Sequence, residues 1–316
     1  MMHTRVDTSC DLSPLKRRLR ADQKNYRRRL MRIGFIGLGN MGSWMVTNLL
    51  KKGFEVSVYD IQPKKAEALI TAKAIYCHSV LELTNQVDVI MTSLPGPKEL
   101  ESVMLGKTGV IAHAQSGMIW IDTSTNSIAV MEKISAHAKD QGIFSIAAPV
   151  SGGTKAAEAG TLSMFVGGEQ ETFAKIKVIL EAIGSQISYV GTLTNAILSK
   201  LLINYLCFIN TKALSDVFLL GAEAGIDPHQ LSTMIQSSSG NSWVAEKLLP
   251  SILEGQSGPA FTLDLAYKDA GLIDELKTIY KTPLEFSDCL CEVFQQARIT
   301  NGGDKSFTRI INLKPE

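Results

Sequence analysis

A glycine-rich loop near the start of the chain has the residue types and spacing that bind a dinucleotide. Gly37, Gly39 and Gly42 follow a short apolar strand and precede a helical stretch over residues 43–52. The first glycine permits a tight turn, the second lets the backbone approach a pyrophosphate, and the third lets the helix pack on the strand, while the helix N-terminus presents free N–H groups to the phosphates. A second strand ends in Asp60, 18 residues beyond Gly42, where a carboxylate can accept ribose hydroxyls. Because these parts coincide, the sequence predicts a nucleotide site rather than a plain glycine-rich turn.

A lysine and an asparagine stand four residues apart in an apolar helical stretch farther along the chain. Lys200 and Asn204 therefore share one helix face. One interpretation is a lysine that covers apolar surface and extends its ammonium into water. The other is an ammonium facing a cleft, where burial lowers its pKa and makes it a usable proton donor. These two residues alone do not decide between the two interpretations.

A serine followed by two glycines comes after a predicted strand and before a helical stretch. Ser151, Gly152 and Gly153 can present a hydroxyl and backbone N–H groups to an anion such as a carboxylate. A simple turn is the alternative, since Gly-Gly is common in turns.

Length and composition set the class of protein. The 316 residues are enough for two domains, and 45% apolar with 20% charged residues is ordinary for a globular chain. The most hydrophobic segment, 197–209, is interrupted by Lys200 and Asn204, so we expect no membrane span. Five cysteines without metal or redox spacing favour reduced thiols, a cytoplasmic protein and no metal site.

The first 30 residues are basic, with nine Lys or Arg against three Asp, although the whole chain has a net charge of only +1. A basic segment can bind nucleic acid or act as a transit peptide. The acidic residues within it and the acidic remainder of the chain argue against both. We expect a dispensable, poorly ordered extension, with no nucleic-acid partner.

Strands that alternate with helices through residues 31–193 predict a doubly wound, Rossmann-like parallel sheet of the α/β class. After 63–72, which is predicted as a crossover helix, strands are expected at 87–91, 118–121 and 142–147. From about residue 194 the apolar residues recur at helical spacing, which predicts one long helix to about Gly225 and an all-helical C-terminal domain. The expected division is an extension over 1–30, a dinucleotide-binding domain over 31–193 and a helical substrate and oligomerisation domain over 194–316.

These motifs, taken in order, resemble the 3-hydroxyisobutyrate dehydrogenase family, the β-hydroxyacid dehydrogenases that include tartronate semialdehyde and glyoxylate/succinic semialdehyde reductases. The resemblance extends from about Met31 to Phe307. It is carried by the segments 35–49, Leu94-Pro95, Asp122-Thr123-Ser124-Thr125, Ala148-Pro149-Val150-Ser151-Gly152-Gly153, Lys200 with Asn204, and Phe261-Thr262-Leu263-Asp264-Leu265-Ala266-Tyr267-Lys268-Asp269.

The resemblance implies a role for each matching position. Lys200 would be the general acid/base, with Asn204 binding substrate and Ser124 close by in the catalytic group. Ser151, Gly152 and Gly153 would bind the substrate. The cofactor would be held by Gly37, Leu38, Gly39, Asn40, Met41, Gly42, Asp60, Leu94, Pro95, Thr125 and Lys268. A solvated lysine on an amphipathic helix is the alternative for Lys268.

The chain departs from the family pattern at several positions. Ala147 stands where an aspartate is usual, Ile128 replaces a proline, and Ile203 replaces the first asparagine of a pair. Residues 194–196 replace a glycine-rich approach to the lysine. None of these changes removes the expected proton donor or anion-binding loop, but they leave the substrate open.

The expected activity is hydride transfer between a nicotinamide cofactor and a small 3-hydroxy acid or its semialdehyde. Asp60 favours NAD over NADP because its charge would repel a 2′-phosphate, although Lys64 and Lys65 weaken that preference. An imine or other carbonyl reductase on the same scaffold, and a catalytically silent nucleotide-binding protein, are the alternatives. A homodimer or homotetramer is expected from the long apolar helix.

Overall fold

A computed structural model describes residues 31–255, 261–311 and 313. The basic extension predicted over residues 1–30 lies outside this part of the chain. Within it, nine strands form one sheet, and helices cover both faces.

The first six strands form a parallel sheet in the order β3-β2-β1-β4-β5-β6. Their side chains are mostly buried because helices lie on both faces, as parallel sheets require. The order reverses at β1, so the carboxyl ends of β1 and β4 flank the crevice in which such folds bind ligands. The strands are β1 (Ile33–Ile36), β2 (Val56–Tyr59), β3 (Ile75–Tyr76), β4 (Val89–Thr92), β5 (Ile119–Asp122) and β6 (Phe144–Ala147).

Three more strands extend the sheet beyond β6. They are β7 (Val150–Ser151), β8 (Leu162–Gly168) and β9 (Gly184–Gly191). Strand β8 is antiparallel to both β6 and β7, and β9 runs parallel to β8. Because β7 follows β6 after two residues and pairs with the same neighbour, Ser151 lies on the sheet edge.

The helices of the sheet domain connect these strands. They are α1 (Gly42–Lys51), α2 (Glu67–Thr71), α3 (Val80–Thr84), α4 (Pro97–Leu105), α5 (Ile128–Asp140), α6 (Gly153–Ala159) and α7 (Gln170–Ile183). The single crossover helix predicted over 63–72 is wrong in detail: a 3₁₀ turn over Pro63–Ala66 precedes the short α2. Proline at the start of that turn has the fixed φ of a first helical turn.

The C-terminal part is helical, as predicted. A 31-residue helix, α8 (Leu193–Glu223), begins two residues after β9 and packs against β6, β8 and β9. It is followed by α9 (Pro228–Gln236), α10 (Trp243–Lys247), α11 (Leu249–Leu253), α12 (Leu263–Tyr280), α13 (Ser287–Asn301) and a 3₁₀ turn (Phe307–Ile310). Helix α12 packs against both α8 and α13.

Helix α8 has apolar residues all around its circumference. One face is buried against the sheet and the other helices and includes Ile197, Leu201, Phe208 and Phe218. Among the described residues, α8 alone is long and apolar enough to cross a membrane by length and composition. Its opposite face is exposed and apolar.

Candidate active site

The glycine-rich loop has the geometry that the sequence predicts. Gly37 has φ +99°, and a Cβ there would lie 2.2 Å from the Ser93 carbonyl oxygen. A Cβ on Gly42 would lie 2.0 Å from the Gly37 carbonyl oxygen, so both positions require glycine. Gly39 instead faces open space, with no heavy atom within 4 Å of the position a Cβ would take. An exposed backbone at the start of α1 is what a bound pyrophosphate needs.

Asp60 lies at the carboxyl end of β2, beside the glycine-rich loop, and is nearly buried. Its Oδ2 accepts a hydrogen bond from the Leu38 N–H at 2.8 Å, and its Oδ1 accepts one from the Gln62 N–H at 2.9 Å. Lys65 Nζ lies 3.7 Å from Oδ1. The carboxylate thus joins the glycine-rich loop to the segment after β2. Since a carboxylate has about four acceptor sites, it can still accept ribose hydroxyls.

The loops that follow β4 and β5 are held together by Asp122, which sequence reasoning did not single out. This carboxylate is 0% exposed. Its Oδ1 accepts from Thr92 Oγ1 (2.8 Å), Ser124 Oγ (2.7 Å) and the Ser124 N–H (3.2 Å), and its Oδ2 accepts from Asn126 Nδ2 (2.7 Å). Burial raises the pKa of Asp122, and these four hydrogen bonds oppose the rise.

The hydroxyl proton of Ser124 is therefore already engaged in a hydrogen bond. It donates that proton to Asp122 and accepts a hydrogen bond from the Leu94 N–H at 2.9 Å. Leu94 and Thr125 are half-buried at the carboxyl end of the sheet, and Pro95 is exposed beside them. The structure thus brings together the three residues predicted to line the cofactor groove.

Lys268 reaches this groove from helix α12. Its Nζ donates to the Thr125 carbonyl oxygen at 2.7 Å, across 143 residues of sequence. Its stem passes Gly96, where a Cβ would lie 3.3 Å from Lys268 Cδ. Lys268 is thus held between the two domains, so it is not the solvated surface lysine of the alternative interpretation.

Asp269 is a second acidic residue that sequence reasoning passed over. It is 1% exposed and lies next to Lys268, whose Nζ is 2.5 Å from its Oδ1. Its Oδ2 accepts a hydrogen bond from Asn204 Nδ2 at 2.7 Å. The sequence signal was available, because Asp269 directly follows Lys268 and ends the last segment that carries the family resemblance.

Lys200 lies one turn before Asn204 on the same face of α8 and is half-buried. It has no hydrogen bond or ion pair in the part of the chain that the structure describes. Burial lowers the pKa of Lys200, while the nearby negative charge of Asp269 opposes that decrease. Cys207, two turns farther along α8, is close enough for Lys200 to lower the pKa of its thiol, which burial raises. An ammonium with a lowered pKa and no fixed partner gives up its proton more readily than an ordinary lysine.

The Ser151-Gly152-Gly153 loop joins β7 to α6. Gly152 and Gly153 have φ values of +118° and +70°, and Gly153 is exposed. No hydrogen bond connects this loop to Lys200 or Asn204 among the described residues. Helix α8, which carries Lys200 and Asn204, packs on β6 and β8. Strand β6 precedes the loop in the chain and β8 pairs with β7, so this packing sets the position of the loop relative to the two residues.

Comparisons with known proteins agree with this arrangement. A family model described as the NAD binding domain of 6-phosphogluconate dehydrogenase matches residues 32–191. Another, described as the NAD-binding of NADP-dependent 3-hydroxyisobutyrate dehydrogenase, matches residues 195–314.

Two curated relatives and a solved structure extend the comparison. The chain is 34% identical over 284 residues to 2-(hydroxymethyl)glutarate dehydrogenase of Eubacterium barkeri, covering 90% of this chain and 94% of that protein. It is 35% identical over 247 residues to 3-hydroxyisobutyrate dehydrogenase of Pseudomonas aeruginosa, covering 76% and 83%. The structure of the Mycobacterium tuberculosis 3-hydroxyisobutyrate dehydrogenase with L-serine matches with a TM-score of 0.81 at 27% identity, covering 89% and 98%.

The fold, the glycine-rich loop and these relatives lead to one assignment. The Rossmann-like sheet and the helical C-terminal domain are those of the matched proteins. The resemblance noted in the sequence is confirmed over most of the chain. The chain belongs to the 3-hydroxyisobutyrate dehydrogenase family of NAD(P)-dependent β-hydroxyacid dehydrogenases.

Proposed function

We propose that the protein interconverts a small 3-hydroxy acid and its semialdehyde, with Lys200 as the general acid/base. The observation that carries this proposal is the chain of contacts around Asp269. Asn204 donates to Asp269, Asp269 pairs with Lys268, and Lys268 donates to the Thr125 carbonyl. Because Lys200 shares a helix face with Asn204, these contacts direct the Lys200 face of α8 toward the cofactor groove.

The residues present fit a nicotinamide dinucleotide. The open backbone at Gly39, with Leu38, Asn40, Met41 and the required glycines around it, would hold the pyrophosphate at the start of α1. Asp60 would take the ribose, and Leu94, Pro95, Thr125 and Lys268 would line the nicotinamide side of the groove. When bound, the cofactor supplies or accepts the hydride.

Lys200 then moves the proton. In reduction its ammonium donates a proton to the carbonyl oxygen, and in oxidation its neutral amine takes the proton of the substrate hydroxyl. The decrease in its pKa that burial causes makes the neutral form accessible. Asp269 pairs with Lys268 and lies near Lys200, so it balances part of their positive charge.

The substrate carboxylate is assigned to Ser151, Gly152 and Gly153, with Asn204 binding the hydroxyl or the carboxylate. The amide of Asn204 has a second N–H and a carbonyl oxygen besides the N–H that it gives to Asp269. Ser124, whose hydroxyl is used by Asp122 and Leu94, would act by holding the loop beside the reacting atoms. The names of the relatives, which refer to short hydroxy acids, support a substrate of this size.

The Lys200 assignment is tested with Lys200→Met, which keeps much of the stem and removes the charge. We expect kcat to fall by about 10²- to 10⁴-fold, the usual contribution of general acid–base catalysis, while the Kd of the cofactor changes less than about twofold. Lys212→Met on the same helix, where the native lysine pairs with Asp216, is the matched control and should retain activity. An unchanged kcat in Lys200→Met would refute the assignment.

Substrate and cofactor class are tested on the unmodified protein. Initial rates are measured with NAD and with NADP across short 3-hydroxy acids, their semialdehydes and cyclic imines. Because the Asp60 carboxylate would face a 2′-phosphate, kcat/KM should be higher with NAD, although Lys65 reduces the difference. Turnover of imines alone would favour the imine-reductase alternative, and cofactor binding without any turnover would favour a catalytically silent protein.

We further propose that the protein is a cytoplasmic homodimer or homotetramer with a domain division near residue 193. The described cysteines, Cys77, Cys207, Cys289 and Cys291, are all free thiols, which supports a reducing compartment. The exposed face of α8 carries an apolar stripe of Leu202, Leu206, Val217 and Leu220, with exposed fractions from 44% to 72%. A second copy of the chain would cover this stripe, which otherwise faces water.

A further inference from the structure

Asn48 connects the helix that receives the cofactor to the helix that follows the substrate loop. It is 7% exposed and lies in α1, six residues after Gly42. Its Nδ2 donates to the Ala157 carbonyl oxygen at 2.7 Å and to the Glu158 carbonyl oxygen at 3.3 Å. Both carbonyls belong to the last turn of α6. The Ala157 carbonyl oxygen also accepts from the Gly160 N–H at 3.3 Å, and Asn48 adds donors to this helix end, where partners within the helix are few.

The approach between the two helices is close. At Gly160, which ends α6 with φ +67°, a Cβ would lie 3.4 Å from Asn48 Cγ. A side chain there would contact the amide, and the left-handed backbone would be strained. Glycine at this position therefore lets α6 end directly beside Asn48.

Helix α6 is short and mostly exposed, and it packs against α1, β8 and the apolar core through Ala156 and Ala157. It has seven residues, all described, and of these only Ala157 is buried. No side chain caps its N-terminus, which begins at Gly152 and Gly153. A helix this short is not stable by itself in water, so its position depends on tertiary contacts. The two hydrogen bonds from Asn48 are polar contacts that help to hold α6 in place.

The Asn48 contact lies between the two proposed anion sites, one for the pyrophosphate and one for the substrate carboxylate. The pyrophosphate would lie at the start of α1, about 9 Å along the helix from Asn48 at 1.5 Å per residue. The Ser151-Gly152-Gly153 loop lies at the opposite end of α6, whose first residue, Gly153, is about 6–8 Å along the helix from the carbonyls that Asn48 binds. We propose that Asn48 is a positioning residue that keeps the substrate-carboxylate loop at a fixed place relative to the cofactor helix.

This inference rests on the proposed function of the Ser151-Gly152-Gly153 loop, and its test has two separate measurements. The variant is Asn48→Leu, which has similar volume and no donor. Thr47→Val is the matched control, because the Thr47 hydroxyl donates only within α1, to the Ser43 carbonyl oxygen. Hydrogen–deuterium exchange of the ligand-free protein is followed in residues 153–160 and 42–51, and steady-state kinetics are measured with the best hydroxy acid.

In Asn48→Leu we expect faster exchange over 153–160 with little change over 42–51. We also expect kcat/KM for the hydroxy acid to fall about five- to thirtyfold, the loss of one or two hydrogen bonds, mainly through KM. The Kd of the cofactor should stay within about twofold, and Thr47→Val should behave like the unmodified protein. If Asn48→Leu does not fold, Gly160→Ala perturbs the same contact from the α6 side and should give the same pattern.

Three outcomes would overturn the inference: unchanged exchange over 153–160, faster exchange with unchanged kcat/KM, or a kinetic loss confined to cofactor binding. The second would show that the contact serves packing alone. An unmodified protein that turns over no hydroxy acid would instead refute the proposed function, while the exchange data would still report whether Asn48 holds α6.

Discussion

Replacing Asp122 separates the effect of its buried charge from that of its hydrogen bonds. Three donors share the Oδ1 atom of this carboxylate, and Asn126 Nδ2 binds the Oδ2 atom. In Asp122→Asn the amide oxygen can take the place of Oδ1 and keep all three donors. The new amide nitrogen would face Asn126, whose Oδ1 atom is buried without a partner. A turn of the Asn126 amide would then pair these two groups, so the variant can keep the number of hydrogen bonds.

The expected changes in the free energy of unfolding differ strongly between two variants. Asp122→Ala leaves the Ser124 N–H and the Asn126 amide without acceptors, at about 1–3 kcal/mol each, so we expect a loss of roughly 2–6 kcal/mol. Asp122→Asn should lie within about 1 kcal/mol of the unmodified protein at neutral pH. It loses charge-assisted hydrogen bonds, but it also removes the cost of burying a charge.

The pH dependence of stability gives a second prediction, which has a definite direction. Burial raises the pKa of Asp122 above its ordinary value of 3.8. A carboxyl group with a raised pKa in the folded state contributes stability that is fully present below its pKa in the unfolded chain and is lost as pH rises through its pKa in the folded protein. The unmodified protein should therefore lose stability relative to Asp122→Asn as pH rises from below about 3.8.

Urea unfolding followed by tryptophan fluorescence measures both effects. Trp120 is buried and donates its indole N–H to Thr92 Oγ1, so its emission reports on this cluster. Asp88→Asn is the control, since Asp88 makes an exposed pair with Arg32 that is worth about 1 kcal/mol or less. An Asp122→Asn variant as unstable as Asp122→Ala would refute the reasoning and show that the charge itself is required.

Two further predictions concern the active site and the exposed face of α8. Asp269 raises the pKa of Lys200, whereas Lys268 and burial lower it, so Asp269→Asn should lower that pKa. The acid limb of the pH profile for hydroxy-acid oxidation should then move to lower pH, and an unmoved limb would contradict this. Asp274→Asn, at an ion pair farther along α12, should leave the profile unchanged. Leu206→Glu, on a side chain 57% exposed, should lower the molar mass measured by light scattering toward that of a monomer, and an unaltered assembly would place the interface elsewhere.

Local patterns in the sequence were sufficient for the framework of the fold. The alternation of strands and helices, the long helix after residue 193 and the glycine-rich loop all depend on neighbours within a few residues. Gly37 and Gly42 are examples: the turn that requires each of them is formed within one strand–loop–helix unit. The crossover over 63–72 was predicted less well, because residues with ordinary helix propensity there form a 3₁₀ turn and a short helix.

The charge network of the site was decided by tertiary structure. Lys268 contacts Thr125 across 143 residues, Asn204 contacts Asp269 across 65, and Asn48 contacts Ala157 across 109. No spacing rule connects residues so far apart, because helix and strand periodicities relate only near neighbours. Which buried acid pairs with which lysine is decided by how α8 packs on the sheet and how α12 packs on α8. The residue types by themselves therefore indicate the chemistry, whereas the folded chain determines which charged groups pair with one another.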